Sequence, residues 1–466
     1  MTLIKSISGI RGTIGGKPGD NLTPQDIVLF TSAYADWLIN DTGKTPGKAK
    51  IQVIVGRDAR ISGPMASDLI CATLSSMGLD VINIGLASTP TTEMAVVMEK
   101  ADGGIIITAS HNPKEYNALK LLNRHGEFLN AADGEHILKL AEAADFTYQD
   151  VMHLGKSKSI GNYEDKHIQA ILDLPMVNAE QIRKQNYSVA IDCVNSVGGI
   201  GIPKLLKALG VAEVNELYCE PTGDFPHNPE PLPENLTAIS EVIRKQGADV
   251  GFVVDPDVDR LAIVCEDGNM FGEEYTLVAI ADYILQHKPG NTVSNMSSTR
   301  ALRDVTEKYD GAAYFASAVG EVNVVEKMKE VNAVIGGEGN GGVIYPDLHH
   351  GRDALVGIAL FLSFMAKRNC KVSKMRAGYP EYVISKNKIQ LTPDTDVDAI
   401  LHSMKEKYKN QPVSTIDGVK IEFDDEWVHL RKSNTEPIIR IYSESKSKAR
   451  ADELAHRIMR EIEEIK

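Results

Sequence analysis

The stretch Gly104-Ile-Ile-Ile-Thr-Ala-Ser-His-Asn-Pro-Lys-Glu-Tyr-Asn-Ala-Leu-Lys120 decides how the chain is read. Its apolar start, Gly104 to Ile107, has the length of a buried strand, and the polar run after it reads as a turn that sets Ser110 at the mouth of a site. A serine hydroxyl is a poor nucleophile unaided. On an extended chain adjacent side chains point to opposite faces, so His111 is not expected to serve Ser110 as a hydrolase base. The same residues suit a serine held as a phosphoester or a plain strand-to-loop turn, and the rest of the chain has to decide.

On the N-terminal side lie Arg11 in SGIRG, a helical pattern from Pro24 to Leu38, the apolar run Ile51 to Val55 ending in GRDAR, and a strand candidate from Val81 to Ile84. Alternating strands and helices predict a parallel sheet covered on both faces. The pattern restarts at Tyr187 to Asp192, with strands at Glu213 to Tyr218 and Asp249 to Val254, and again at Thr292 to Ser294, Ala312 to Phe315 and Ala333 to Ile335. After Cys370 four strand candidates crowd together before an amphipathic helix from Lys446 to Lys466, which reads as a small α+β domain. The fold class expected is α/β: three related α/β domains with mixed sheets, plus a C-terminal α+β domain. The limits expected are 1–155, 156–255, 256–371 and 372–466.

A chain of 466 residues exceeds a single ordinary core, and 43% hydrophobic with 24% charged residues is a globular composition. The net charge of -14 speaks against nucleic acid and anionic membrane as partners, since both reward a basic surface. The N-terminus has no apolar core of signal-peptide length, and no run of about 18 apolar residues occurs. The five cysteines are scattered and form no CxxC pair, so reduced thiols in a cytoplasmic protein, without structural zinc, are expected.

Three further segments carry chemistry. Asp255-Pro-Asp-Val-Asp-Arg260 sets three carboxylates at alternate positions after an apolar strand. Such a group is costly without a cation, and oxygen donors favour Mg²⁺. A calcium loop of the EF-hand type fails on context, because its glycine position is Arg260 and its flanks read as strands. Gly336-Gly-Glu-Gly-Asn-Gly-Gly342 is no dinucleotide fingerprint, since no helix starts at its end; Glu338 and Asn340 offer the acceptors and donors that sugar hydroxyls need. Arg431-Lys-Ser-Asn-Thr-Glu-Pro-Ile-Ile-Arg440 brackets Ser433, Asn434 and Thr435 with two guanidinium groups, a set suited to phosphate.

In this order TASHNP, DPDVDR, GEGNGG and RKSNTEPIIR resemble the α-D-phosphohexomutases, over the whole chain. The resemblance implies four domains around a cleft and an intramolecular phosphotransferase, an isomerase of hexose or hexosamine 1- and 6-phosphates working through an enzyme phosphoserine and a hexose bisphosphate. It implies that Ser110 bears the phosphoryl group, that Asp255, Asp257 and Asp259 hold Mg²⁺ with a phosphoserine oxygen, and that Arg260 faces the reacting phosphate. Glu338 and Asn340 would contact the sugar, and Arg431, Ser433, Asn434, Thr435 and Arg440 the nonreacting phosphate. Lys120 is the acid-base candidate, Arg11 a supporting cation, and His111 a residue that positions the serine loop. The GEGNGG loop resembles the archaeal-type branch, and phosphoglucosamine mutase is the activity expected, with phosphoglucomutase/phosphomannomutase the alternative and a phosphoserine-dependent phosphatase or a noncatalytic sugar-phosphate sensor the rival classes. It lacks the serine and histidine that many bacterial members carry where this chain has Asn340 and Gly342, and His349 or His350 are the expected substitutes.

Overall fold

The computed structural model of the chain describes residues 2–6, 9–46, 49–392, 395–432 and 438–465. It packs as two compact units, Met1–Thr276 with Gly342–Ser373 and Leu277–Gly341 with Lys374–Lys466.

The first unit contains a sheet of seven strands: β1 (Ile4–Ser6), β2 (Gly9–Thr13), β3 (Gln52–Arg57), β4 (Asp80–Leu86), β5 (Gly103–Ile107), β6 (Tyr116–Leu122) and β7 (Ser157–Ser159). Their order is β1-β2-β6-β5-β3-β4-β7. Every residue of β5 is buried. Ile105 and Ile107 pack with Phe30, Ile70 and Leu74 on one face, and Ile106 with Ile54, Ala95 and Val96 on the other, which is why the strand reads as an unbroken apolar run.

The sheet is mixed, as the expected fold class has it, although the alternation of elements taken alone predicted a parallel one. β5 is parallel to β3 but antiparallel to β6, and β6 is antiparallel to β2. The connection through residues 108–115 is too short for the crossover that a parallel neighbour requires, so the chain turns back on itself. The Ser110 loop is thus the tip of a hairpin, and Lys120 stands on its returning strand.

A second sheet comprises β8 (Ser188–Asp192), β9 (Glu213–Leu217), β10 (Val250–Val254) and β11 (Leu261–Cys265), ordered β11-β10-β8-β9. β10 and β11 form an antiparallel hairpin closed by Val254 opposite Leu261, so residues 255–260 are its tip. In the second unit β12 (Thr292–Asn295) runs parallel to β13 (Tyr314–Ser317) and β14 (Ile335–Glu338). The chain then returns to the first unit at β15 (Gly342–Ile344).

The rest of the second unit is an antiparallel sheet of β16 (Val383–Gln390), β17 (Val413–Ser414), β18 (Val419–Glu422), β19 (Trp427–Lys432) and β20 (Ile438–Ser445), ordered β16-β20-β19-β18-β17. Leu454, Ile458 and Ile462 of the helix Lys448–Glu463 pack on Ile421, Leu430 and Ile441, the α+β arrangement expected. All five cysteines are free thiols. Among the described residues no helix is long and apolar enough to cross a membrane.

One fully buried cation shapes the Ser110 loop. Arg60 Nε donates to Asp58 Oδ2 at 3.1 Å, Nη1 to the carbonyls of Pro113 and Tyr116 at 2.7 and 2.9 Å, and Nη2 to those of Ser110 and Asn112, both at 2.6 Å. All five guanidinium protons are thereby used. Asp58 also accepts the Thr108 hydroxyl at 2.7 Å, and Thr108 Oγ1 accepts the Ser110 N–H at 3.0 Å. Arg60→Ala leaves Asp58 buried without its cation and is expected to lower stability by about 3–5 kcal/mol. Urea denaturation followed by circular dichroism measures this, and an unchanged midpoint would show that the loop holds its own shape.

Candidate active site

Asp255, Asp257 and Asp259 are fully buried at the tip of the β10–β11 hairpin. Val258 between them has φ 64, a left-handed conformation that a β-branched residue adopts only under constraint. The constraint is visible: Val258 O accepts the Ala354 N–H at 3.1 Å, and Pro256 O accepts the Ser196 hydroxyl at 2.6 Å. Within the loop, Asp255 Oδ1 accepts the N–H groups of Asp259 and Arg260 at 3.2 and 3.1 Å.

Other elements of the unit supply donors to these carboxylates. Asp257 Oδ2 accepts Thr89 Oγ1 at 2.6 Å and Lys120 Nζ at 2.7 Å. Asp259 Oδ2 accepts Arg352 Nη2 at 2.6 Å, with Lys120 Nζ at 3.5 Å. Burial disfavours the Lys120 ammonium, yet Asp257 and Asp259 outweigh it and hold the group above its ordinary range. Burial likewise works against an ionised Asp259, but Arg352, Lys120 and Arg260 hold its carboxyl below the usual range. Asp255 has no such cluster of cations, and burial with the charges of Asp259 and Asp257 pushes it well up.

Ser110 Oγ donates to Asp255 Oδ2 at 2.8 Å. Its backbone is left-handed, φ 49, so the extended-chain argument that separated Ser110 from His111 does not hold. The imidazole Nδ1 lies 3.3 Å from the hydroxyl. Burial and the nearby Arg260 drive the His111 pKa down to about 2, which makes the ring a neutral neighbour of the serine. Arg11 Nη1 donates to Asn112 Oδ1 at 2.9 Å and so reaches the same loop. Arg260 is largely buried, with Nη1 3.7 Å from Glu230.

Asp257 Oδ1 and Asp259 Oδ1 are buried and accept no hydrogen bond, and oxygens of all three carboxylates lie within 4.8 Å of one another. Buried carboxylate oxygens without a donor are costly, and an all-oxygen set at this spacing fits a hard divalent cation such as Mg²⁺.

In the second unit Glu338 is buried, with Oε1 accepting Asn295 Nδ2 at 2.8 Å and the Gly320 N–H at 3.2 Å, and Oε2 accepting Asn340 Nδ2 at 3.4 Å. Arg431 and Arg440 stand directly opposite on β19 and β20, and Arg440 also opposes Lys388 on β16. Residues so paired share one face of the sheet, and like charges there repel unless an anion joins them. Ser433, Asn434 and Thr435 lie outside the described residues. His349 lies between Glu93 and Asp353, with Nδ1 3.3 Å from Glu93 Oε2 and Nε2 3.3 Å from Asp353 Oδ2. Sequence reading passed over Thr89, Arg352 and Lys388. Only Arg352 carried a signal, as a cation directly before the helix-capping Asp353.

Residues 3–148, 165–268, 272–382 and 387–461 match, in order, domains I, II and III and the C-terminal domain described as phosphoglucomutase/phosphomannomutase. A phosphoglucomutase/phosphomannomutase of Thermococcus kodakarensis is 37% identical over 95% of this chain and 96% of that protein. A probable phosphoglucosamine mutase of Methanopyrus kandleri is 31% identical over 98% of each. The crystal structure of a phosphoglucomutase/phosphomannomutase family protein from Burkholderia thailandensis matches with a TM-score of 0.84 and 26% identity, over 99% of this chain and 98% of that one. The chain belongs to the phosphoglucomutase/phosphomannomutase family and is a hexose-phosphate mutase, an intramolecular phosphotransferase.

Proposed function

We propose that the mutase works through a phosphoryl group carried on Ser110 and a bisphosphorylated hexose. The observation that carries this reading is the contact of Ser110 Oγ with Asp255 Oδ2 at 2.8 Å, beside two buried carboxylate oxygens that accept no hydrogen bond. Asp255, Asp257 and Asp259, with an oxygen of the phosphorylated serine, would hold Mg²⁺, which supplies charge neutralisation on the phosphoryl oxygens.

In the forward half, the bond from phosphorus to Ser110 Oγ breaks as a bond to a sugar hydroxyl oxygen forms. Arg260, Arg11 and the Lys120 ammonium bring positive charge to the transferring group. Lys120 Nζ gives a proton to the departing serine oxygen and takes up the one released by the attacking sugar hydroxyl, and the exchange runs in reverse when the second phosphate of the bisphosphate returns to Ser110. His111, neutral beside Ser110, orients the hydroxyl without adding charge. Glu338 and Asn340 accept and donate to sugar hydroxyls, while Arg431 and Arg440, with Ser433, Asn434 and Thr435, take the phosphate that does not react. Lys388 joins that cation row.

The two relatives named above divide between hexose and hexosamine phosphates, and glucosamine phosphate is the substrate proposed, on the GEGNGG loop. Comparing kcat/KM on glucosamine, glucose and mannose 1-phosphates tests it; a tenfold preference for glucose or mannose phosphate would reverse the choice.

Ser110→Ala is expected to abolish mutase turnover, even with hexose bisphosphate added, while leaving the thermal midpoint near that of the wild type. Full turnover in that variant would remove the serine carrier from the mechanism. Lys120→Met should lower kcat by about 10²–10⁴-fold with a smaller change in KM, and an equal rate would assign Lys120 to structure alone.

A further inference from the structure

A second cluster of metal-binding side chains lies in the first unit. His167, on the helix Tyr163–Leu172, places Nε2 2.9 Å from Asp353 Oδ2. His349 places its Nε2 3.3 Å from the same oxygen. His167 and Asp353 are fully buried, and the His349 side chain is 8% exposed. The other Asp353 oxygen is committed to the N–H groups of Leu355 and Val356, at the start of the helix Ala354–Arg368.

On the His167 side the outer contacts fix which ring nitrogen carries hydrogen. Thr91 Oγ1 gives its one proton to Glu164 Oε2 at 3.0 Å and accepts from Ser88 Oγ at 2.7 Å. His167 Nδ1, 3.0 Å from that hydroxyl, is therefore the donor of their contact, and the neutral ring turns the Nε2 lone pair toward Asp353. Glu93 Oε2 lies 3.3 Å from His349 Nδ1, so its charge favours a proton on that nitrogen, and Nε2 faces Asp353. The approach of Glu93 depends on Gly351, where a Cβ would stand 1.9 Å from Oε2. Two ring nitrogens thus converge on one carboxylate oxygen. A proton on a ring nitrogen or one divalent cation among the three atoms would satisfy that oxygen.

We propose that His167 Nε2, His349 Nε2 and Asp353 Oδ2 bind a transition-metal ion, with Zn²⁺ the best match and a water as fourth ligand. Bonds of about 2.0–2.1 Å in a tetrahedral zinc site put donor atoms about 3.3 Å apart, close to the spacings of 2.9 and 3.3 Å found here. Glu93 behind one imidazole and Thr91 behind the other are the outer partners that metal-bound histidines use to fix their orientation. Imidazole donors separate this site from the all-oxygen triad and favour zinc over Mg²⁺. His349 also borders a cavity of about 550 Å³, lined in part by Met94, Val97, Leu348 and His350. The ion would tie the helix Tyr163–Leu172 to the segment whose next residue back, Arg352, holds Asp259. Its competitor is the proton, since Glu93 and Asp353 overcome burial and raise the His349 pKa to about 10.

The test strips the full-length protein with a chelator, dialyses it against Zn²⁺ in excess Mg²⁺, and counts bound zinc by plasma mass spectrometry. One zinc per chain is expected in the wild type and in Asp257→Asn, and at least a tenfold lower occupancy in His167→Gln and His349→Gln. Zinc that is absent from the wild type, or that survives both histidine variants, overturns the proposal. So does zinc lost from Asp257→Asn and kept in the histidine variants, which would place it at the triad. Should the histidine variants not fold, Co²⁺ in the wild type decides. A tetrahedral site with imidazole ligands absorbs visible light strongly, and only the faint colour of oxygen-bound Co²⁺ would refute it.

Discussion

Negative charge held out of water is the constraint around which the first unit is built. Asp255, Asp257 and Asp259 share one hairpin tip, and each is fully buried. An uncompensated carboxylate in that position costs several kcal/mol, so the surrounding chain must bring donors to it. It does so from four places distant in sequence: Ser110 after β5, Thr89 at a helix start, Lys120 on β6 and Arg352 before another helix. Distant segments meet here because the charge requires them, and the oxygens they leave without hydrogen bonds are the ones a cation would use.

Two backbone conformations share in this arrangement. Ser110 at φ 49 and Val258 at φ 64 each occupy the left-handed region without being glycine. Both are pinned by neighbours, Ser110 through Arg60 and Thr108, and Val258 through Ala354. Strain of this kind persists where the surroundings over-determine it, at about 1–3 kcal/mol per residue. The two tips therefore meet as rigid parts.

The legible part of the sequence was its apolar periodicity and its acidic spacing. β3, β5, β8 and β10 are short apolar runs buried on both faces, and the carboxylates at 255, 257 and 259 form the buried acidic group, able to hold a cation, that their alternate spacing suggested. β6 was not legible as a strand, because its polar residues face partners, Lys120 the carboxylates and Asn117 the Ser62 hydroxyl, and break the pattern. The nearness of His111 to Ser110 was misread because periodicity assumes an extended backbone. Thr89 was invisible for a different reason: a single residue acquires a role only through tertiary contact, and no local spacing marks it. In the second unit, the facing of Lys388, Arg440 and Arg431 follows from strand register, which hydrophobic pattern alone leaves open across a turn.

The segment between β15 and the helix Ala354–Arg368 is anchored at both ends and along its return. Asp353 N–H bonds Val343 O at 2.9 Å, Arg352 bridges to Ile344, and Ala354 N–H reaches Val258 O. A loop tethered this way has little freedom in length, whatever its composition. One residue added or removed between Tyr345 and Gly351 would turn Arg352 off Asp259 and Asp353 off its helix together. Loops on protein surfaces ordinarily absorb insertions; this one behaves as a ruler, and its residue count is as much a part of the site as its side chains.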